Sequence, residues 1–331
     1  MRYLTRWLKI SRCKLMNETE LIHQIIADLG EQTQGETVMV GPGDDAAVVQ
    51  WNTTDNIVVT TDTFVVDRHF SEDTPGDLVG YRCIAATLSD VVAMSARPCY
   101  VTVALTVETN SQDWVFEFVK GVRTCCAETN TRIIGGNMAC GNKSATVSAI
   151  GLVPDSTYVR RDTVCNGDDI WLTGTLGATK LAISANVDWQ PKPLEELLQK
   201  RDNCFMAAYF LPRVRIEFVE KIRSYVTAMT DISDGLQTEL EHMIRSSNLG
   251  ARIDVEQVNM WDRRHKAHTL GCDDSYELLF TLPKAKRTKL EQNASETNTE
   301  CRCIGEITST RGVKFFDNGQ EIFPVSGYSH F

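Results

Sequence analysis

No apolar run in this 331-residue chain reaches the length of about twenty residues that spans a bilayer. A membrane-crossing segment is therefore not read from the sequence. The familiar nucleotide signatures are also missing. There is no GxxxxGK[ST], no GxGxxG opening a helix, and no HRD or DFG triplet. Gly174-Thr-Leu-Gly-Ala-Thr-Lys180 comes near the first of these, but its spacing is wrong. Zinc-type CxxC spacing is absent, although the chain holds 11 cysteines; Cys125–Cys126 and Cys301/Cys303 are the only close pairs. Unpaired, reduced thiols point to a cytoplasmic protein. Positive charge is in deficit, with a net charge of −10. That excludes broad nucleic-acid binding through phosphates, and it requires any polyphosphate ligand to bring its own cations. Acids are missing from residues 1–16, which carry Arg2, Arg6, Lys9, Arg12 and Lys14. Charges interrupt every apolar stretch there, so the segment is not a secretory signal. It reads as a disordered extension, or as lying upstream of a true start at Met16. An amphipathic transit or membrane-surface segment is the other reading.

What is present is an ordinary globular balance, 42% hydrophobic and 24% charged, at a length that accommodates two domains. Helical and strand patterns alternate. Leu21, Ile22, Ile25, Ile26 and Leu29 share a helix face, with Asn17 or Thr19 as its cap. Asn56–Thr61 reads as a buried strand, 75–94 as a helix, Tyr100–Val107 as a half-exposed strand and 114–122 as a helix. Arg132–Ile134 is a short strand running into a double glycine, and Ser144–Val153 another strand. The pattern then restarts. Strands are expected at Ile170–Thr173, Val226–Thr230, Ala251–Val255, Leu278–Leu282, Cys303–Ile307 and Val313–Phe316. Helices are expected at Leu176–Ala185, Val214–Ile222 and Leu236–Arg245, and a polar loop tip at Asn293–Thr299. This is an α+β chain in two halves with a seam near Pro154: 17–154 and 155–331.

Six short blocks recur along the chain: GPGDD (Gly41–Asp45), TTDT (Thr60–Thr63), LSD (Leu88–Asp90), GGN (Gly135–Asn137), DISDG (Asp231–Gly235) and GCDDSYE (Gly271–Glu277). Most sit where a hydrophobic run stops, so loops can bring their carboxylates together. Gathered carboxylates repel unless cations neutralise them, and hard divalent ions with oxygen ligands suit that task. A shared Mg²⁺ site for polyphosphate chemistry is the expectation. In DISDGL, Ser233 or Asp234 can cap the following helix, whose free N–H groups suit a phosphate, while Asp231 and Asp234 hold metal. Asp90 is an acid on an apolar helical face and needs a partner. His69, seven residues after Asp62, is either a substrate-facing imidazole or a satisfied structural one.

Taken in order over residues 17 to 331, these blocks resemble the thiamine-monophosphate kinases of the aminoimidazole ribonucleotide synthetase-like superfamily. GPGDDAAVV, TTDTFVVDRHF, LSDVVAMSARP, IIGGN, DISDGL, SYEL and the terminal GYSHF carry the likeness. The resemblance implies an N-terminal α/β domain and a C-terminal α+β domain, with two N-terminal sheets paired into a β-barrel across a homodimer. It implies ATP-dependent phosphorylation of thiamine monophosphate to thiamine diphosphate, with ATP as co-substrate and several Mg²⁺ ions. Metal binding falls by position on Asp45, Thr60, Thr61, Asp62, Asp90, Asn137, Asp231 and Asp234. Nucleotide contacts fall on Gly136, Asn137, Arg161 and Ser233, and substrate contacts on His69, Asp274 and Tyr328. Asp231, Asp234 and Arg161 are the candidate catalytic set. The partners expected are ATP, thiamine monophosphate and a second copy of the chain, with no nucleic acid and no membrane.

The chain departs from that pattern in several places. Asn137 stands where the family has aspartate, Asp274 where it has glutamate, Ser275 where it has aspartate, and Thr87 where asparagine is usual. Two other readings therefore stand beside the first: a related ATP-using enzyme with another acceptor, and a catalytically weak nucleotide-binding homologue.

Overall fold

The computed structural model describes residues 18–42, 46–50, 54–155, 157–185 and 192–325. The basic extension 1–16, Asp45 of GPGDD and Tyr328 of the terminal GYSHF lie outside them.

The first half runs α1 (Glu18–Leu29), β1 (Val38–Val40), β2 (Val48–Val49), β3 (Asn56–Val65), α2 (Gly76–Ala93), β4 (Arg97–Val107), α3 (Gln112–Glu128), β5 (Arg132–Cys140) and β6 (Ser144–Val153). Four strands form one sheet in the order β3-β6-β4-β5, with β6 antiparallel to both neighbours and β4 parallel to β5. Period-two alternation decides its two faces. Ala145, Val147, Ala149 and Val153 of β6 are buried, while Thr146, Ser148, Ile150 and Leu152 between them are only partly covered. α2 and α3 pack closely together. Gly80 makes this approach possible, because a Cβ there would lie 2.1 Å from the Phe118 carbonyl oxygen. On the other face, among the described residues, the β3 end is open, and Ile57 and Val59 are 55% and 67% exposed there.

The second half runs β7 (Asp169–Thr173), α4 (Ala178–Ala185), α5 (Leu194–Leu198), α6 (Phe205–Phe210), α7 (Ile216–Ile222), β8 (Ala228–Asp231), α8 (Leu236–Ile244), β9 (Gly250–Asp254), α9 (Lys266–Gly271), β10 (Leu278–Leu282), α10 (Arg287–Glu296), β11 (Cys301–Thr308), β12 (Gly312–Asp317) and β13 (Gln320–Ile322). Its seven strands lie in the order β13-β12-β9-β11-β7-β10-β8. β7, β8 and β10 are buried along their whole length, and β10 in particular reads as an almost continuous apolar run. Leu194, Leu197, Met206 and Phe210 of the α5–α6 excursion join the core of the first half. Val92 and Ala93 of α2 join a core cluster of the second. The two halves are thus laced together across α2, and the fold is the two-domain α+β arrangement expected from the sequence.

Three local readings are corrected. GGN is not the loop after a short strand: β5 continues through Gly135–Asn137 to Cys140, because its parallel pairing with β4 carries on past a bulge at Val101/Thr102. The polar stretch expected as a loop tip lies largely on α10, which runs to Glu296. Its polarity marks a solvated helix rather than a loop; only Leu290 and Ala294 of that helix are buried. Neither Ser233 nor Asp234 caps α8. The N-cap is Gly235, at φ 120, with no side-chain cap bond.

Candidate functional site

α2 is the spine of the site. It is buried along almost its whole length and crosses between the two sheets. Its last two turns carry Thr87, Ser89 and Asp90. Thr60 and Asp62 lie on the same side of β3, two residues apart, as strand alternation requires. Asp231 ends β8 and is 5% exposed. Where these elements meet, a cleft of about 570 Å³ is lined by Thr60, Asp90, Arg160, Arg161, Asp162, Asp231, Ser233, Asp234, Glu239, His242 and Arg245, among others. Residues remote in sequence therefore converge: one strand and one helix of the first half, the segment before β7, and the β8–α8 turn.

The floor of the cleft is acidic, and what its carboxylates touch are hydroxyls. Thr60 Oγ1 donates to Asp90 Oδ2 at 2.7 Å, and Ser89 Oγ donates to Asp231 Oδ2 at 2.7 Å. The Thr87 hydroxyl sits between the Cys83 carbonyl, at 3.0 Å, and Asp62. Burial pushes all three acids upward. Asp90 rises to about 6, through burial and the charge of Asp62, against relief from Thr60 and the Arg161 guanidinium. Asp231 rises to about 8, through burial and the charge of Asp90, against the Ser89 bond. Asp62 is raised by burial, partly offset by Thr87. Carboxylates in that condition favour either protons or a cation.

The loop from Asp231 to Gly235 is held from outside. Ile232 N–H donates to Glu277 O, and Tyr276 N–H donates to Ile232 O. Gly235 is required here, because a Cβ would fall 2.4 Å from the Gly271 carbonyl oxygen. Among the described residues no protein acceptor takes the backbone N–H groups of Ser233 or Asp234. They lie at the positive end of α8, where anions are favoured.

Other expected residues are placed elsewhere. Thr61 alternates to the far side of β3, where its hydroxyl meets Ser148 Oγ at 3.0 Å. Gly136 and Asn137 lie on β5, at the opposite sheet edge from β3, roughly 14 Å away by strand spacing. A Cβ on Gly136 would come 2.4 Å from the Val103 carbonyl oxygen, so this glycine serves strand packing. Gly136 and Asn137 border a second hollow, of about 360 Å³, walled by Ile22, Ile25 and Leu29 and by Ala46, the residue after Asp45. His69 accepts the Val65 N–H on Nδ1 at 3.0 Å and meets Phe64 edge-on. Asp274 is held by the buried Arg82 at 2.5 Å and by the Thr179 hydroxyl. Arg82 in turn lies over the Tyr209 ring, 4.0 Å from its centre.

Sequence reasoning passed over Ser89, Glu239, His242 and Arg245. Ser89 had a signal, standing beside Asp90 in the LSD block. Glu239 and His242 lie on α8 and Arg245 caps its end, spaced at i, i+3 and i+6, visible only once that helix is known to flank the cleft.

The AIR synthase related protein N-terminal domain family matches residues 43–153, and its C-terminal domain family matches residues 166–318. The thiamine-monophosphate kinase of Buchnera aphidicola subsp. Schizaphis graminum is 30% identical, over 95% of this chain and 99% of that one. The crystal structure of thiamine-monophosphate kinase from Stenotrophomonas maltophilia K279a is 29% identical, with a TM-score of 0.79, covering 91% of this chain and 96% of that one. The structure of AaThiL complexed with AMPPCP and TMP is 26% identical, with a TM-score of 0.70, covering 96% of this chain and 99% of that one. On this match across both halves, the chain belongs to the AIR synthase related proteins and, within them, to the thiamine-monophosphate kinase family.

Proposed function

We propose that this chain transfers the γ-phosphoryl group of ATP to thiamine monophosphate, giving thiamine diphosphate and ADP. The observation that supports this best is the cleft itself, where Thr60, Asp90, Arg161, Asp231, Ser233 and Asp234 meet from both halves of the chain. Its relatives carry that activity in their name, and one was solved with AMPPCP, an ATP analogue, together with TMP.

The chemistry asks little of a general base. The acceptor is a phosphate oxygen, already ionised near neutral pH. It attacks Pγ in line; the bond from Pγ to the bridging β-phosphate oxygen breaks, and ADP leaves with that electron pair. The obstacle is repulsion between two anions, so positioning and positive charge are what the site must supply. Arg161 faces the acidic floor and offers a fixed guanidinium fork. The free N–H groups of Ser233 and Asp234 offer two further donors.

The donor set fits Mg²⁺. Asp62, Asp90, Asp231 and Asp234 are hard oxygen ligands, and the first three, raised mainly by burial, would be stabilised as carboxylates by a bound cation. Among the described residues no three acids, cysteines or histidines are grouped closely enough to chelate an ion alone. That suits Mg²⁺, which binds through one or two carboxylates and completes its shell with substrate phosphates and water. When bound, it would supply the charge that lets the two phosphates approach. Asn137, Asp45, Gly136, His69, Asp274 and Tyr328 remain proposed contacts on the family pattern.

We also propose a homodimer closed over the open β3 end of the four-stranded sheet. Ile57 and Val59 there, with Met39 and Val48 nearby in sequence, are more than half exposed, and a second copy would cover them. Among the described residues the ten cysteines are free thiols, which supports a cytoplasmic setting, and no helix is long and apolar enough to cross a membrane. The deciding experiment incubates purified protein with ATP, Mg²⁺ and thiamine monophosphate and follows thiamine diphosphate by chromatography. Stoichiometric thiamine diphosphate and ADP are expected; ADP without thiamine diphosphate would favour another acceptor. Light scattering that gives a stable monomer at micromolar concentration would remove the dimer.

A further inference from the structure

Glu239 is an acid that a phosphate-binding cleft has reason to exclude. It is 3% exposed, it lines the cleft, and it adds another carboxylate to Asp90, Asp162, Asp231 and Asp234. Burial raises its pKa first, and the charge of Asp234 raises it further, against relief from His242 and Ser233. Facing a phosphate directly, it would repel it. Its contacts show another use. Ser233 Oγ donates to one carboxylate oxygen at 3.3 Å, and His242 Nδ1 lies 3.4 Å from the other.

These contacts take the place of the missing cap. The turn into α8 has no side-chain cap of its own, so Ser233 is tied instead to a residue more than a turn into the helix. With its hydroxyl committed to Glu239, Ser233 presents its backbone N–H rather than its side chain. His242 stands one turn beyond Glu239, its side chain 31% exposed, on the same cleft wall. If Nδ1 points at the carboxylate, Nε2 is the nitrogen left for the cleft. The charged groups around it are Glu239 and Arg245 on its own helix, Arg160, Arg161 and Asp162 from the segment before β7, Asp90 from α2, and Asp231 and Asp234 from the β8–α8 turn.

We propose that Glu239 is a positioning residue for the phosphate chain of the nucleotide: it fixes the Ser233 turn and aims His242, which makes the direct phosphate contact. This rests on the ATP reading above. It gives a buried acid in an acidic cleft a role that needs no contact with the ligand.

The test uses the full chain with Glu239→Gln, Glu239→Asp, His242→Gln and the Glu239→Gln/His242→Gln double variant. Calorimetric titration with AMPPCP and Mg²⁺ is the first readout. Losing one charge-assisted hydrogen bond should weaken binding about ten-fold in each glutamine variant. The double variant should be little weaker than either single one, because the two residues act as a unit. Glu239→Asp should recover part of the loss. In turnover assays KM for ATP should rise about ten-fold while kcat changes less than about three-fold. Melting temperature should stay near the parent value. A purely structural acid would give the opposite: a lower melting temperature with unchanged AMPPCP affinity, and that result overturns the proposal. So would fully multiplicative losses in the double variant. A parent protein that binds AMPPCP yet leaves thiamine monophosphate unphosphorylated would sink the acceptor assignment and leave this inference standing. A parent that does not bind AMPPCP would end both.

Discussion

Two groups of buried and half-buried acids are treated in opposite ways. On one side Asp274 faces Arg82, Glu277 takes a two-pronged bond from Arg215, and Asp169 is gripped by Arg287. Asp90 and Asp231 in the cleft, and Asp62 near Asp90, face threonine and serine hydroxyls. The cleft has arginines as well, Arg160, Arg161 and Arg245, but among the described residues none of them is hydrogen-bonded to Asp62, Asp90 or Asp231. A carboxylate with a resident cation is structural. A carboxylate bonded to hydroxyls is oriented but not neutralised, and burial raises its pKa until a proton or a cation from outside compensates it.

The largest effect should come from breaking the contrast on its structural side. Arg82→Met removes the cation opposite Asp274 and leaves a half-buried acid without compensation. It should cost about 3–5 kcal/mol in urea unfolding. Asp231→Asn, in the cleft, should behave in reverse. Its charge is disfavoured by burial and by Asp90, so the amide should leave stability within about 1 kcal/mol of the parent. Turnover should fall at least 100-fold. If Asp231→Asn unfolds the protein as severely as Arg82→Met, the distinction between the two groups is wrong.

Much of this contrast was open to a reader of the sequence, and part was not. β6 and β10 fall where alternation and apolar runs place them, because burial on one or both faces writes itself into a strand. Asp90 was legible as an acid on an apolar helix face. The partner that Asp274 takes was not legible. Arg82 lies 192 residues away on a helix with no visible polar stripe, and only the fold brings the two together. GGN misled for a related reason. Two glycines in succession suggest a turn, but here Gly136 is spent on close strand contact with Val103. The role of Glu239 was hidden because a capping pattern at Ser233 explained the local residues well enough without it.

The second effect is smaller and concerns pH. Asp231 and Asp90 have folded values of about 8 and about 6, above the ordinary 3.8. The folded state therefore holds more protons than the unfolded state across that interval, and metal-free stability must fall as pH rises from about 4 to about 8. The loss is read as a melting temperature that falls steadily across that interval. Mg²⁺ should return most of it at pH 8 and have little effect at pH 5. Asp273, buried away from the cleft and raised to about 7, would contribute a pH dependence that Mg²⁺ cannot relieve. Melting curves over pH with and without MgCl₂ separate the two. If Mg²⁺ stabilises equally at pH 5 and pH 8, the cleft acids are not its ligands.

The smallest effect should come from Asn137, which belongs to neither group. It is exposed on β5, across the four-stranded sheet from Asp62, and it borders the hollow beside Ala46 rather than the acidic cleft. Asn137→Asp adds a charge at an exposed strand position, so folding stability should change by less than about 0.5 kcal/mol. Any gain must come through a metal ion already held by phosphate oxygens. The Mg²⁺ concentration for half-maximal turnover should therefore drop by only about two- to three-fold, with kcat nearly unchanged. A titration of initial rate against Mg²⁺ at fixed ATP checks this. No change at all would mean that Asn137 contacts no metal and that residue 137 is a strand position alone. A drop of 100-fold would mean the opposite: the acids of the cleft are not enough by themselves, and residue 137 must reach the metal through an arrangement that one chain does not contain.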